Sequence, residues 1–101
     1  MKPIALGYVR THPFTSPGEI TAAKDHLAAY AVQTELTLDR IYVDRPESQP
    51  EAFHALIEAL NRRGIRLVLV PSLAHLGGHG SPLKTHLEHY THARVLIPEN
   101  L

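Results

Sequence analysis

Arg10, His12, Asp44, His75 and His79 are the side chains of this chain best suited to chemistry. An arginine holds a permanent positive charge and a planar fork of donors that fits phosphate or carboxylate. A histidine can act as a general base, a nucleophile or a metal ligand near neutral pH. His12, Asp44 and His75 together have the composition of a two-histidine, one-carboxylate metal set. His75 and His79 are four apart, His86 and His89 three apart, and His92 three further on. Spacings of three and four place residues on one side of a helix. The plainer reading of His86, His89 and His92 is the solvated face of a last helix and its exit. We therefore expect no resident metal and no cofactor.

These residues matter only if strands and helices bring them together. Ile4 to Val9 is apolar and too short for a helix, which predicts a buried strand. Ser16-Pro17-Gly18-Glu19 has the grammar of a helix start: a capping serine, a proline at the first turn and a glutamate three residues after the cap. Ile20, Ala23, Leu27 and Tyr30 then form one apolar face. Arg40 to Val43 reads as a second strand. Ser48-Gln49-Pro50-Glu51 repeats the capping pattern, Phe53, Leu56, Ile57 and Leu60 carry the next helical stripe, and Gly64 stops it. Arg66 to Val70 is nearly all apolar, as a central parallel strand covered on both faces should be. Ser81-Pro82 opens a third helix with Leu83, Leu87 and Tyr90 inward, and Ala93 to Ile97 is the last strand.

Strands alternating with helices predict an α/β three-layer sandwich around a four-stranded parallel sheet. A strand order of 2-1-3-4 would bring the loops after the first, second and third strands to one edge, where open α/β sheets bind ligands. Arg10 and His12 should face the same way there and Thr11 the other, which makes Thr11 a poor substitute for any residue at position 12.

Composition narrows the function. The chain has 101 residues, which fits one domain spanning 1–101. It has no cysteine, and the N-terminal segment lacks a signal-peptide pattern, so the expectation is a cytoplasmic protein. No apolar run approaches a membrane span. Formal net charge is zero, without the positive footprint usual for a DNA-binding domain. Lys24, Arg62, Arg63, Arg66 and Lys84 read as solvated helix ends, because acidic residues lie among them. Gly77-Gly78-His79-Gly80 lacks the Lys-Ser/Thr ending of a phosphate loop and reads as a turn. Tyr8, Tyr30, Tyr42 and Tyr90 read as core or core-edge residues.

Gly7-Tyr8-Val9-Arg10-Thr11-His12 and Leu67-Val-Leu-Val-Pro71-Ser72-Leu73-Ala74-His75-Leu76-Gly77-Gly78 resemble the two signature segments of the serine recombinase (resolvase/invertase) catalytic domain. The family has Tyr-x-Arg-Val-Ser at the first and Leu-Asp-Arg-Leu-Gly-Arg at the second. Arg40 to Asp44 is similar to its second-strand segment, which ends in an acidic active-site residue. The resemblance implies a resolvase-like fold and an ancestral DNA phosphodiester chemistry. It also implies that the chemistry is lost. His12 stands at the position of the nucleophilic serine. Ala74, His75 and Gly78 stand where the family has Asp, Arg and Arg, and Gln49 stands near a further arginine. Arg10 and Asp44 are what remains, so no catalytic set is intact. Arginines poised around phosphorus supply several kcal/mol of transition-state stabilisation, and their loss predicts no strand cleavage.

The sequence stops at Leu101, just after the fourth strand. The family continues into a further strand, a long helix that grips the partner subunit and DNA, and a DNA-reading module, so neither seam nor module is expected here. Apolar surface on the last strand or helix would then stay open, which suggests a homodimer. The leading expectation is a catalytically inactive interaction or regulatory module that binds another protein or itself. The alternatives are a DNA-associated accessory protein of recombination that binds weakly without cutting, and a small enzyme with a repurposed His12/Asp44/His75 site. Arg10, His12, Asp44, His75 and His79 are the ligand-binding candidates.

Overall fold

The computed structural model describes residues 2–11, 13–44, 51–71, 87, 89, 91 and 93–97. Six elements follow in order: β1 (Ile4–Arg10), α1 (Pro17–Gln33), β2 (Thr37–Asp44), α2 (Glu51–Arg63), β3 (Leu67–Leu69) and β4 (Arg94–Leu96). All strand pairs are parallel, in the order β2-β1-β3-β4. This is the expected α/β sheet with the expected order. The helix start at Ser81-Pro82, with Leu83 and Tyr90, lies outside the described residues, as do Ser48 to Pro50; Leu87 and His89 are helical.

The layers follow from handedness. The chain steps from β1 to β2 on one side, then crosses β1 to reach β3 on the other. Right-handed crossovers in opposite directions must place their helices on opposite faces. Ala5 and Val9 accordingly pack with Leu27, Tyr30 and Ala31 of α1. Leu6 and Tyr8 pack with Phe53, Leu56 and Leu60 of α2, joined by Leu87. Alternation along β1 thus feeds two cores, which is why five consecutive residues, Ala5 to Val9, are all buried. Fully buried leucines such as Leu56 each hold about 2–5 kcal/mol against truncation to alanine.

Ser16 caps α1 as its sequence requires. Its Oγ accepts from the Glu19 amide at 3.1 Å, and Pro17 opens the first turn. Ile20 and Ala23 are only half-buried, whereas Leu27, Tyr30 and Ala31 are buried, so α1 seats mainly by its C-terminal half. β2 begins at Thr37, three residues before the expected Arg40. The early part, Thr37-Leu38-Asp39, lacks the apolar run that marks a strand, yet pairing with β1 recruits it. The register slips between Ala5 and Leu6: Ala5 pairs with Leu38 and Leu6 with Arg40, which leaves Asp39 as an extra residue, a β-bulge.

Gly7 is required by close approach. A Cβ there would meet Ile41 Cγ1 at 3.0 Å and Leu27 Cδ1 at 3.1 Å. α1 can therefore lie tight on β1 only over a glycine. Gly64, at φ +66°, closes α2, and the Ile65 amide turns back to the Leu60 carbonyl at 3.0 Å. At the other end of the sheet, Thr91 turns the chain into β4. Its amide and Oγ1 both donate to the Leu87 carbonyl, and its Oγ1 accepts from the Ala93 amide.

Candidate functional site

β1 and β2 end side by side, and their register sets Arg10 directly beside Asp44. β3 lies on the other side of β1, so the strand order reverses there. This is the carboxyl edge where a ligand site was expected.

Asp44 is buried, 3% exposed. Its carboxylate is committed to the fold. Oδ2 accepts from the Tyr8 hydroxyl at 2.6 Å and from the Phe53 amide at 3.0 Å, and Oδ1 accepts from the Ala52 amide at 2.8 Å. Ala52 and Phe53 lie in the first turn of α2, whose amides have no partner within the helix. The carboxylate therefore caps α2 from the end of β2 and sits at the positive end of its dipole. Helix N-termini bind anions, and here the anion is part of the chain. The carbonyl of Asp44 is used as well: the Thr11 amide donates to it at 3.0 Å and Thr11 Oγ1 at 2.9 Å.

Tyr8 completes the network. Its ring is fully buried and meets Phe53 edge-to-face at 5.4 Å. Its hydroxyl is pushed well above the ordinary tyrosine value, first by burial and then by the hydrogen bond and charge of Asp44. The Arg10 guanidinium pulls it back only in part, through its charge and its own hydrogen bond to the phenol. Arg10 is exposed, so its charge faces solvent at the strand edge while coupled to Tyr8. The tyrosine is a fixed proton donor to Asp44 and not an acid poised to ionise.

Two of the expected site residues, Arg10 and Asp44, come together. His12, Ala74, His75, Gly78 and His79 lie outside the described residues, as do His86 and His92. Among the described residues no group of three or more histidine, aspartate or glutamate side chains is placed to hold a metal ion. His89 is exposed. The basic helix ends are paired, Arg62 with Glu58 at 3.2 Å and Arg63 with Asp39 at 2.7 Å. No helix of the described residues is long and apolar enough to cross a membrane.

The sequence did not point to Tyr8, Thr11, Ala52 and Phe53 as partners of Asp44. One signal was available: Tyr8 and Arg10 are two apart on a strand and share a face. The capping of α2 by Asp44 had none, because it needs the path of the chain between 44 and 51.

Neither a protein-family model nor a curated protein sequence matches the chain. Solved structures do. The C-terminal catalytic domain of ISC1926 TnpA, an IS607-like serine recombinase, superposes with a TM-score of 0.79 at 15% identity, over 94% of this chain and 67% of that one. A resolvase family site-specific recombinase from Streptococcus pneumoniae superposes with a TM-score of 0.75 at 20% identity, over 98% of this chain and 74% of that one. The fold is resolvase-like. The resemblance read in the sequence extends to the architecture, and at the strand edge of this domain Arg10 and Asp44 lie side by side. What the two recombinases do is a property of those proteins.

Proposed function

We propose that residues 1–101 form one resolvase-like domain that acts as a cytoplasmic interaction or regulatory module and does not cut DNA. The observation that carries this reading is the commitment of Asp44. Its carboxylate accepts hydrogen bonds from Tyr8, Ala52 and Phe53 inside the fold. An aspartate kept for capping and packing is retained whether or not any chemistry survives. Arg10 beside it has no matched arginine cluster, since Ala74, His75 and Gly78 replace the family residues at those positions. The same commitment argues against a repurposed His12/Asp44/His75 metal set, because that carboxylate is buried and two amides and a phenol already occupy three of its roughly four lone-pair sites.

Supercoiled plasmid tests the reading. The expected result is no nicking by the purified protein. Cleavage that disappears in His12→Ala would overturn it and install His12 as nucleophile.

Arg10 supports a second reading, a DNA-associated accessory protein. It is an exposed cation at the strand edge of a fold shared with recombinases. Anisotropy of a labelled random duplex over a salt ladder decides between the two. Affinity falling log-linearly with salt puts the accessory reading first, and no binding at low salt leaves the protein-interaction reading.

A further inference from the structure

We infer that the outer edge of β2 is a self-complementary surface on which a second copy of this chain docks, antiparallel, to form a two-fold dimer through a continuous sheet. Among the described residues β2 pairs only with β1, so its outer edge carries no strand. This is the longest of the described strands, and among the described residues its outer edge pairs with nothing from Thr37 to Asp44. Beside it α1 and β2 frame an open groove of about 530 Å³ lined in part by Val32, Leu36, Leu38 and Ile41, with Asp39 and Arg40 also at its wall. Val32 is 74% exposed there, among the most exposed large apolar side chains of the described residues. An unpaired edge next to open apolar surface is a template for another strand.

The bulge selects the occupant. In a regular strand, residues three apart face opposite sides of the sheet. The extra residue Asp39 cancels that alternation, and Leu38 and Ile41 both pack on the α1 side. Two antiparallel strands related by a two-fold axis must place residues of the same face opposite one another. An axis passing between Asp39 and Arg40 meets the condition. Leu38 of one copy then lies opposite Ile41 of the other, and Asp39 lies opposite Arg40, twice over. Bulges and edge charges ordinarily blunt an edge against stray pairing. Here they form a pattern that sets opposite charges across the axis when its own copy docks in this register. The earlier expectation put a dimer seam at the last strand or helix; the observations favour the opposite edge of the sheet.

This surface gives the interaction-module reading its first partner and rests on that reading for its biological sense. The two fail separately. Plasmid cleavage would remove the module reading and leave the dimer untouched, and a monomer would remove the dimer and leave the plasmid result untouched.

The test is light scattering of the full chain over a wide concentration range. The expected mass rises to twice the chain's 11.2 kDa. Asp39→Arg alone and Arg40→Asp alone place like charges across the axis and should each weaken association by roughly tenfold or more. The combined Asp39→Arg/Arg40→Asp variant restores the opposite charges and should restore association. Arg63→Ala removes only the partner of Asp39 within the chain and should leave the dimer intact. Circular dichroism verifies folding of each variant. The chain has no cysteine, which permits a second measurement if a charge variant unfolds. Asp39→Cys mixed with Arg40→Cys should form a disulfide-linked dimer of one chain with the other. A single-chain mass at every concentration, or a dimer indifferent to both single charge reversals, or no cross-link in the mixture, overturns the proposal.

Discussion

The starts of α1 and α2 solve one problem in opposite ways. α1 is capped by Ser16, three residues from the amide it serves and exposed to solvent. α2 is held by Asp44, eight residues from Ala52, at the end of another element and buried. A local cap stabilises one helix. A distant cap also fixes where that helix sits, because the carboxylate that receives its amides is anchored through Tyr8 to the middle of the sheet. At this strand edge the sheet and α2 are fastened together.

Removing the carboxylate should have the largest effect. Asp44→Ala leaves two first-turn amides and the buried Tyr8 hydroxyl without their acceptor. Lost capping costs about 0.5–2 kcal/mol and an unsatisfied buried donor about 1–3 kcal/mol. Denaturant unfolding should show a loss of roughly 2–4 kcal/mol. Asp44→Asn keeps the shape and one acceptor oxygen, and should fall between the two. A stability loss no larger than that of an exposed cap would mean that the network does not hold α2 to the sheet.

Tyr8→Phe comes next and probes the anchor. It deletes one hydrogen bond to a charged group, worth about 1.5–3 kcal/mol, while keeping the ring against Phe53. The tyrosine also makes stability depend on alkali. Its folded value lies above the ordinary 10.0, so the folded state holds the proton more tightly than the unfolded chain. That contribution is fully present below pH 10.0 and is lost as the pH rises above it toward the raised value. Wild type should lose stability steeply in strong alkali, and Tyr8→Phe should have a flatter profile. Equal slopes would show that another group carries the alkaline loss.

Ser16→Ala tests the local cap and should cost about 1 kcal/mol. Its effect should add to that of Asp44→Ala, since the two caps serve different helices on opposite faces.

The same contrast explains what could be read from the sequence. Periodicity, the Ser-Pro-Gly-Glu start and the Gly64 stop gave both described helices, and their alternation with strands gave the parallel sheet and its order. These signals are local. That Arg10 and Asp44 end side by side was legible because it follows from the strand order. The job of Asp44 was not legible. A carboxylate that caps a helix from eight residues away has the same sequence appearance as one awaiting a substrate, and only the buried geometry separates them. The bulge at Asp39 was equally hidden, because one extra residue in a strand leaves no mark on composition. β2 was begun late for the same reason: its first residues are half polar, and pairing with β1 decides their state.

The ends of α1 and α2 differ more subtly than their starts. α1 and α2 both finish with a left-handed residue, Glu35 at φ 58° and Gly64 at φ 66°. Both make the same return bond, Leu36 amide to Ala31 carbonyl at 2.8 Å and Ile65 amide to Leu60 carbonyl at 3.0 Å. At Gly64 the sequence matches the conformation. At Glu35 it does not, and the Cβ of an ordinary residue in this region costs roughly 1 kcal/mol. Glu35→Gly should therefore raise stability by about 0.5–1 kcal/mol, whereas Gly64→Ala should lower it by a similar amount, even though among the described residues no atom beyond the adjoining residues lies within 4 Å of the added methyl. The opposite signs are the discriminating result. If both substitutions destabilise, the glycine's advantage in the left-handed turn is outweighed by what Glu35 contributes at the end of α1. That would place a functional or packing role at the mouth of the groove, beside Leu36 and the edge of β2.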